Sequence, residues 1–508
     1  MSVLFPFHLR IINSTRTIPS RHICANRTWI SHRDNVNIKT TGVTNRYHSH
    51  IMASEPPLIK TTVLPVDATK LGSLKARSVP NDYLDDLDIE LDPHSVDAQY
   101  LRQAAEQLKT SDIPVAFPTE TVYGLGADAT RSSATKGIYK AKRRPADNPL
   151  IVHFASLEQL RALLRPSTNG DNDASEVPST EDPIPSIYKP LIKKFWPGPL
   201  TIILPNPPHS PLAPEVTAGL TTFGARMPRH PLALALIKTS GKPIAAPSAN
   251  ASTKPSPTAA EHVAYDLDGR IETILDGGPC DVGVESTVVD GLSSPPLILR
   301  PGCISIEQLR ECEGWQNTQI GYKDTSEKDS KPKAPGMKYR HYSPKATVVL
   351  FESGKKAPTW SDMAQYVAAS KKLGVVRTRQ WAVETAGESG PIAQKSEDEV
   401  KASMQTNGHE EPSKPGFAGM LQTIHKQHVQ RSVETHAVAN SDTNFTLLDV
   451  NLGGNTADIA RGVFAALRDL DRQDVDAIFV EGINDEEGDV AAAVMNRLRK
   501  AAEVKIAA

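Results

Sequence analysis

Cysteine is scarce: the 508 residues hold four, Cys24, Cys280, Cys303 and Cys312, with no Cys-x-x-Cys spacing. This excludes a zinc ribbon and a secreted disulfide scaffold, and fits a reducing compartment. Long apolar runs are missing as well. No stretch approaches the roughly 20 residues that a membrane-spanning helix needs, so no membrane partner is expected. Charge of one sign is also lacking: 57 Lys and Arg stand against 59 Asp and Glu, which removes any global pull toward nucleic acid. Neither common nucleotide loop occurs. There is no Gly-x-x-x-x-Gly-Lys-Ser/Thr, and after Gly124-Leu125-Gly126 the third glycine of a dinucleotide fingerprint is replaced by Ala129.

Acidic residues are absent from Met1 to Arg33, where Arg10, Arg16, Arg21, Arg27 and Arg33 recur among Ser, Thr and aliphatic residues. That is the composition of an organelle transit peptide, with a disordered basic tail as the alternative. Met52 follows the Arg-rich stretch, just before Ala53-Ser54-Glu55. Starts at Met1 and Met52 would then give a mitochondrial form, with residues 1–51 as its transit peptide, and a cytoplasmic form. Residues 52–94 gain acid at Asp85, Asp86, Asp88 and Glu90 and read as a disordered lead-in.

What is present concentrates in two clusters, Lys142-Arg143-Arg144-Pro145-Ala146-Asp147-Asn148-Pro149 and Pro247-Ser248-Ala249-Asn250. Ser133 to Lys140 reads as a helix, and Pro145 biases Arg144 away from helical geometry. On an extended backbone Lys142 and Arg144, two apart, would project to one side and grip one phosphate chain. Charge-assisted contacts of this kind are worth roughly 1.5–3 kcal/mol each. Taken alone, the cluster also fits a solvated basic turn. Upstream, Ile113 to Phe117 is a short apolar strand that empties into Pro118-Thr119-Glu120-Thr121-Val122-Tyr123-Gly124, hydroxyls and glycine of the kind that form ligand-binding rims in α/β proteins.

In order and spacing, Pro118 to Gly126, Lys142-x-Arg144 with Pro145-x-x-Asn148-Pro149-Leu150-Ile151-Val152-His153, and Ser248-x-Asn250 resemble the YrdC-like threonylcarbamoyl-AMP synthases. In that family Lys-x-Arg and Ser-x-Asn form a recurring tetrad. Phe223-Gly224-Ala225-Arg226-Met227-Pro228, Glu285-Ser286-Thr287-Val288-Val289-Asp290 and Leu299-Arg300-Pro301-Gly302 extend the match, and Pro335 to Pro344 is similar to the interdomain linker of the long, two-domain form. The resemblance implies a YrdC-like twisted mixed α/β sheet with flanking helices and a smaller C-terminal Rossmann-like α/β domain. It places the catalytic domain at 95–312 with a polar insertion at 166–186, a linker at 313–346, and the second domain at 347–508 with a polar insertion at 384–443.

The implied reaction makes threonylcarbamoyl-AMP and pyrophosphate from L-threonine, bicarbonate and ATP. The product passes to the tRNA threonylcarbamoyl transferase machinery, for N6-threonylcarbamoyladenosine in tRNAs reading codons that begin with A. Carried over by position, Lys142, Arg144, Ser248 and Asn250 are the catalytic tetrad. Arg144, Asn148, Thr222, Asn250, Thr258, Arg300 and Tyr342 would bind ATP, and Thr121, His153, Arg226, Ser248 and Ser286 threonine. Magnesium is expected to arrive with ATP, since no carboxylate cluster marks a protein ligand. Glu120 reads as structural and Arg143 as exposed. His153 has an alternative as a packed core histidine; Lys338 to Tyr342, whose cations and aromatics between two prolines suit a lid over a triphosphate, has one as a plain connector.

Two rivals come from other classes. A YrdC-like domain could bind the backbone of double-stranded RNA, weakly, with the same cations; a carbamoyl-phosphate-dependent relative would bring the zinc-finger modules that this chain lacks. In the second domain, Val348 to Phe351, Gly374 to Arg377, Asn444 to Val450 and Ala477 to Glu481 read as strands. Thr456 to Leu470 and Gly488 to Ala502 read as helices, the latter with one apolar face from Val490, Val494, Met495, Leu498 and Ala501.

Overall fold

The structure is a computed structural model that describes residues 59–78, 84–165, 181–322, 342–384, 390–396, 398–400, 432–439 and 443–507. The segment read as a transit peptide, most of both polar insertions, and the linker from 323 to 341 lie outside the described residues.

Eleven strands form the first sheet. In spatial order they are Thr62–Pro65, Thr273–Asp276, Val115–Phe117, Gly124–Asp128, Ile244–Ala245, Ile151–His153, Thr222–Arg226, Leu200–Pro205, Thr287–Asp290, Leu297–Arg300 and Gln319–Ile320. Parallel and antiparallel pairs are mixed; the helix Val96–Thr110 packs along the sheet, and Pro231–Ser240 packs against that helix. The central strands read as short apolar runs because they are buried on both faces; every residue of Val115–Phe117 and Ile151–His153 is buried.

The lead-in needs correction. Residues 59–78 and 84–91 are not a disordered approach to the domain: Thr62–Pro65 pairs with Thr273–Asp276 as an edge strand, and Gly72–Ser78 and Leu84–Leu91 form a hairpin. Leu71, Leu74, Leu84 and Leu87 join the catalytic core. Two of the acids that argued for solvation have distant partners: Asp85 takes Arg161 at 2.6 Å, and Asp86 takes Lys238 at 2.5 Å besides Arg77 of its own hairpin at 2.8 Å. Paired charge lets this hairpin dock on its apolar side.

The second sheet has the order Glu434–Ala439, Asn444–Asn451, Lys372–Arg377, Ala477–Glu481, Thr347–Phe351, Val504–Ile506. All its pairs are parallel except the first, so part of the tract read as a polar insertion, Glu434–Ala439, is an antiparallel edge strand. Helices Thr456–Arg472 and Asp489–Ala501 close a core of Leu448, Ile459, Val463, Phe464, Leu467, Val494 and Leu498. Asn455 caps the first helix by accepting from the Ala457 and Asp458 N–H groups. Among the described residues, no helix is long and apolar enough to cross a membrane.

Candidate active site

The motifs meet because of how three connections leave the first sheet. Val115–Phe117 and Gly124–Asp128 pair antiparallel, so Pro118–Tyr123 is the link between them. Thr119 Oγ1 folds that link by accepting from the Thr121 and Val122 N–H groups at 3.2 and 3.3 Å. The Pro247–Asn250 loop is tied to the same strand, with Leu125 N–H donating to Pro247 O and Ala249 N–H to Tyr123 O, both at 2.8 Å. Ile151–His153 and Thr222–Arg226 run parallel with His153 opposite Arg226, which brings both side chains to the carboxyl ends of their strands.

Together these segments form an open cleft lined by Thr119, Thr121, Val122, Gly124, Arg144, Ile151, His153, Arg226, Ala246, Pro247, Ser248, Glu285, Ser286, Arg300 and Tyr342. Three guanidiniums, those of Arg144, Arg226 and Arg300, and several hydroxyls converge there. Arg144 has a buried Nη2 without a hydrogen-bond partner among the described residues. Arg300 is fixed by Nη2 donating to Ser286 O at 2.9 Å and to Ser286 Oγ at 3.0 Å, and Ser286 Oγ shares a 2.8 Å bond with Thr201. Burial pulls the Arg300 pKa down to about 10, against the pull of Glu285, which still leaves it cationic at neutral pH. Gly302 permits this packing, since a Cβ there would sit 2.3 Å from Thr287 N.

Arg226 is paired rather than free. Its Nη2 donates to Glu120 Oε1 at 2.7 Å and its Nη1 to Thr121 Oγ1 at 2.9 Å. Burial pushes the Glu120 carboxyl up, but Arg226 and Arg229 outweigh it and hold the pKa below the ordinary value. The structural part expected of Glu120 follows from this pair. Burial pushes His153 down to about 3, so it is neutral at working pH.

Residues 107–302 match the family model described as "Telomere recombination", and residues 304–503 match the model of the "Threonylcarbamoyl-AMP synthase, C-terminal domain". The threonylcarbamoyl-AMP synthase of Schizosaccharomyces pombe is 45% identical over 431 residues, covering 81% of this chain and 90% of that protein. That of Bacillus subtilis is 41% identical over 411 residues, covering 81% and 95%. The chain belongs to the threonylcarbamoyl-AMP synthase family. The solved structure of P. abyssi Sua5 complexed with L-threonine superposes with a TM-score of 0.58 at 33% identity, covering 88% of this chain and 100% of that one.

Within this synthase fold, all five residues expected at threonine (Thr121, His153, Arg226, Ser248 and Ser286) line the cleft, as do Arg144, Arg300 and Tyr342 from the nucleotide set. Others stand elsewhere. Lys142 is not on an extended stretch beside Arg144. It is the last residue of the helix Ser132–Lys142, and Arg143 reverses the chain at φ 51° before Arg144. The Lys142 ammonium is buried behind the cleft wall, donating to Ser248 O, to Asn250 O at 2.7 Å and to Asn250 Oδ1 at 3.3 Å. Burial and the nearby Arg144 push its pKa well down, while three acceptors match the three N–H donors of the charged form.

Asn250 and Asn148 are likewise buried outside the lining. Thr222 starts the strand that Arg226 ends, roughly 13 Å away at strand rise, and Thr258 sits 3.4 Å from His262 Nδ1. Neither threonine lines the cleft. Two participants had escaped sequence reasoning. Glu285 belongs to the matched Glu-Ser-Thr motif but bears no functional signal of its own; Arg497, its partner, lies 212 positions away.

Proposed function

We propose that this cleft joins L-threonine, bicarbonate and ATP into threonylcarbamoyl-adenylate with release of pyrophosphate. The product then serves N6-threonylcarbamoyladenosine formation in tRNAs reading codons that begin with A, through the tRNA threonylcarbamoyl transferase machinery. The observation that carries this is the convergence of Arg144 and Arg300 with Thr121, Ser248 and Ser286 on one cleft in a chain of this family.

The threonine amine and bicarbonate form a carbamate with loss of water. A carbamate oxygen then attacks the α-phosphorus, and the bond to pyrophosphate breaks. Positioning the reactants supplies roughly 7–11 kcal/mol of barrier reduction, and cations stabilise the charge that develops on the phosphates. Arg144 and Arg300 face the triphosphate, with Tyr342 beside them. Arg226, already oriented by Glu120 and Thr121, takes the threonine carboxylate, while Thr121, His153, Ser248 and Ser286 surround its amine and hydroxyl. Lys142 acts through the Ser248–Asn250 loop that it holds. Magnesium enters with the nucleotide, because Glu285, the acid on the described lining, is already paired with Arg497. From its composition, the segment 1–51 is proposed to direct a mitochondrial form beside a cytoplasmic one.

Pyrophosphate release from ATP by the purified chain with bicarbonate tests the reading. Release is expected with L-threonine, at least tenfold above L-serine or no amino acid. In Arg144→Ala it should fall about 10- to 100-fold, the loss of one charge-assisted contact. Folded protein without threonine dependence would move the assignment to binding of an RNA backbone, which would show as steep salt dependence.

A further inference from the structure

A carboxylate beside the cleft's guanidiniums is answered by a cation from the other domain. Glu285 is buried; its Oε2 accepts from Arg497 Nε at 3.0 Å and its Oε1 from Ser256 Oγ at 2.5 Å. Arg497 belongs to the helix Asp489–Ala501, is 1% exposed, and also donates from Nη1 to Pro301 O at 2.7 Å. One side chain therefore spans the residue before Ser286 and the residue after Arg300. Those two are bonded to each other in the cleft wall.

A second interdomain ion pair joins residues outside the cleft lining. Arg468 Nη2 meets Asp266 Oδ2 at 2.8 Å, and both side chains are buried. Asp266 does not line the cleft, whereas Glu285 does. If docking were all that the C-terminal domain required, the two pairs would be equivalent. They differ in that an unpaired Glu285 would present a negative charge to a bound triphosphate.

We propose that Arg497 is a positioning residue for the cleft: from the C-terminal domain it neutralises Glu285 and ties together the segments bearing Ser286 and Arg300, so that the cleft accepts ATP. This rests on the reading of the cleft as the site of adenylate formation. The domain to which the sequence assigns no reaction of its own thereby sets the nucleotide affinity of its neighbour.

The full chain and its Arg497→Met, Glu285→Gln, Arg497→Met/Glu285→Gln and Arg468→Met variants provide the test. Pyrophosphate release gives KM for ATP and kcat, titration with a non-hydrolysable ATP analogue gives affinity without turnover, and thermal unfolding reads docking. Arg497→Met is expected to raise KM for ATP about tenfold or more with kcat within about threefold, the cost of leaving a buried charge unpaired. The double variant should recover most of that loss. Arg468→Met should lower the unfolding midpoint but leave KM for ATP within about threefold, because its ion pair does not face the nucleotide.

The proposal is overturned if Arg497→Met and Arg468→Met shift KM and kcat alike, or if the double variant binds the analogue no better than Arg497→Met. Should Arg497→Met fail to fold, Glu285→Gln decides: it leaves the guanidinium and removes the anion, so tighter analogue binding supports the proposal and weaker binding refutes it. Wild-type protein lacking threonine-dependent release would remove the reaction assigned to the cleft, while the analogue titration would still read Arg497 by the same ratios.

Discussion

His153 ends its strand with the ring buried and Nδ1 unpartnered among the described residues, as is Nδ1 of the buried His230, while the buried His262 accepts from Thr258 N–H at 3.2 Å. Burial pushes His153 and His262 down to about 3 and His230 to about 4. In the unfolded chain each would protonate near 6.5, so stability is fully present above that pH and is lost as pH falls toward the folded values. The slope approaches about 1.4 kcal/mol per pH unit for each ring, or about 2 kcal/mol each by pH 5. Glu285, brought to about 2 by Arg497 and Arg300 against its burial, adds a loss that begins only below its ordinary value of 4.5. Urea unfolding at pH 7.5 and pH 5.0 should therefore show a clearly lower midpoint at pH 5.0, with a smaller drop in His262→Gln. Equal midpoints at both pH values would contradict the burial account.

At the scale of elements, legibility followed how local the signal was. The second domain's strands and helices stood out because their apolar periods are uninterrupted: Thr456–Arg472 and Asp489–Ala501 extend or trim the expected spans by a residue or two. The hairpin Gly72–Ser78 with Leu84–Leu91 was hidden, since what makes its acids compatible with a strand is Lys238, 152 positions from Asp86. The end of the helix Ser132–Lys142 was misjudged for a different reason. Pro145 correctly signalled a stop, but a left-handed Arg143 achieves it, in place of an extended run from Lys142. For segment 1–51 composition is the whole argument. A fluorescent reporter fused to it is expected in mitochondria, and diffuse cytosolic fluorescence would contradict the transit-peptide reading.

Across the whole molecule, the cleft's polar lining was largely visible in motifs, and its support was not. Thr121, His153, Arg226, Ser248 and Ser286 lie together as the family resemblance implied. Spacing alone could not show that Lys142 turns its charge onto carbonyls of the Ser248–Asn250 loop, nor that Arg468 and Arg497 cross between domains to Asp266 and Glu285. Such pairs join residues more than 100 positions apart, and their partners are chosen by the fold. The result is an anion-accepting cleft whose cations are braced from behind, suited to aligning reactants more than to supplying a nucleophile. Cys280 and Cys303 fit that view, since burial pushes both thiols up and away from the reactive thiolate.

The most direct test of this account is mass spectrometry of the adenylate formed from ATP, L-threonine and carbon-13-labelled bicarbonate. The account predicts a product carrying threonine, AMP and one labelled carbon, formed together with pyrophosphate and reduced about 10- to 100-fold in Arg144→Ala. An adenylate of threonine without the label, or pyrophosphate release with no threonine in the product, would contradict it.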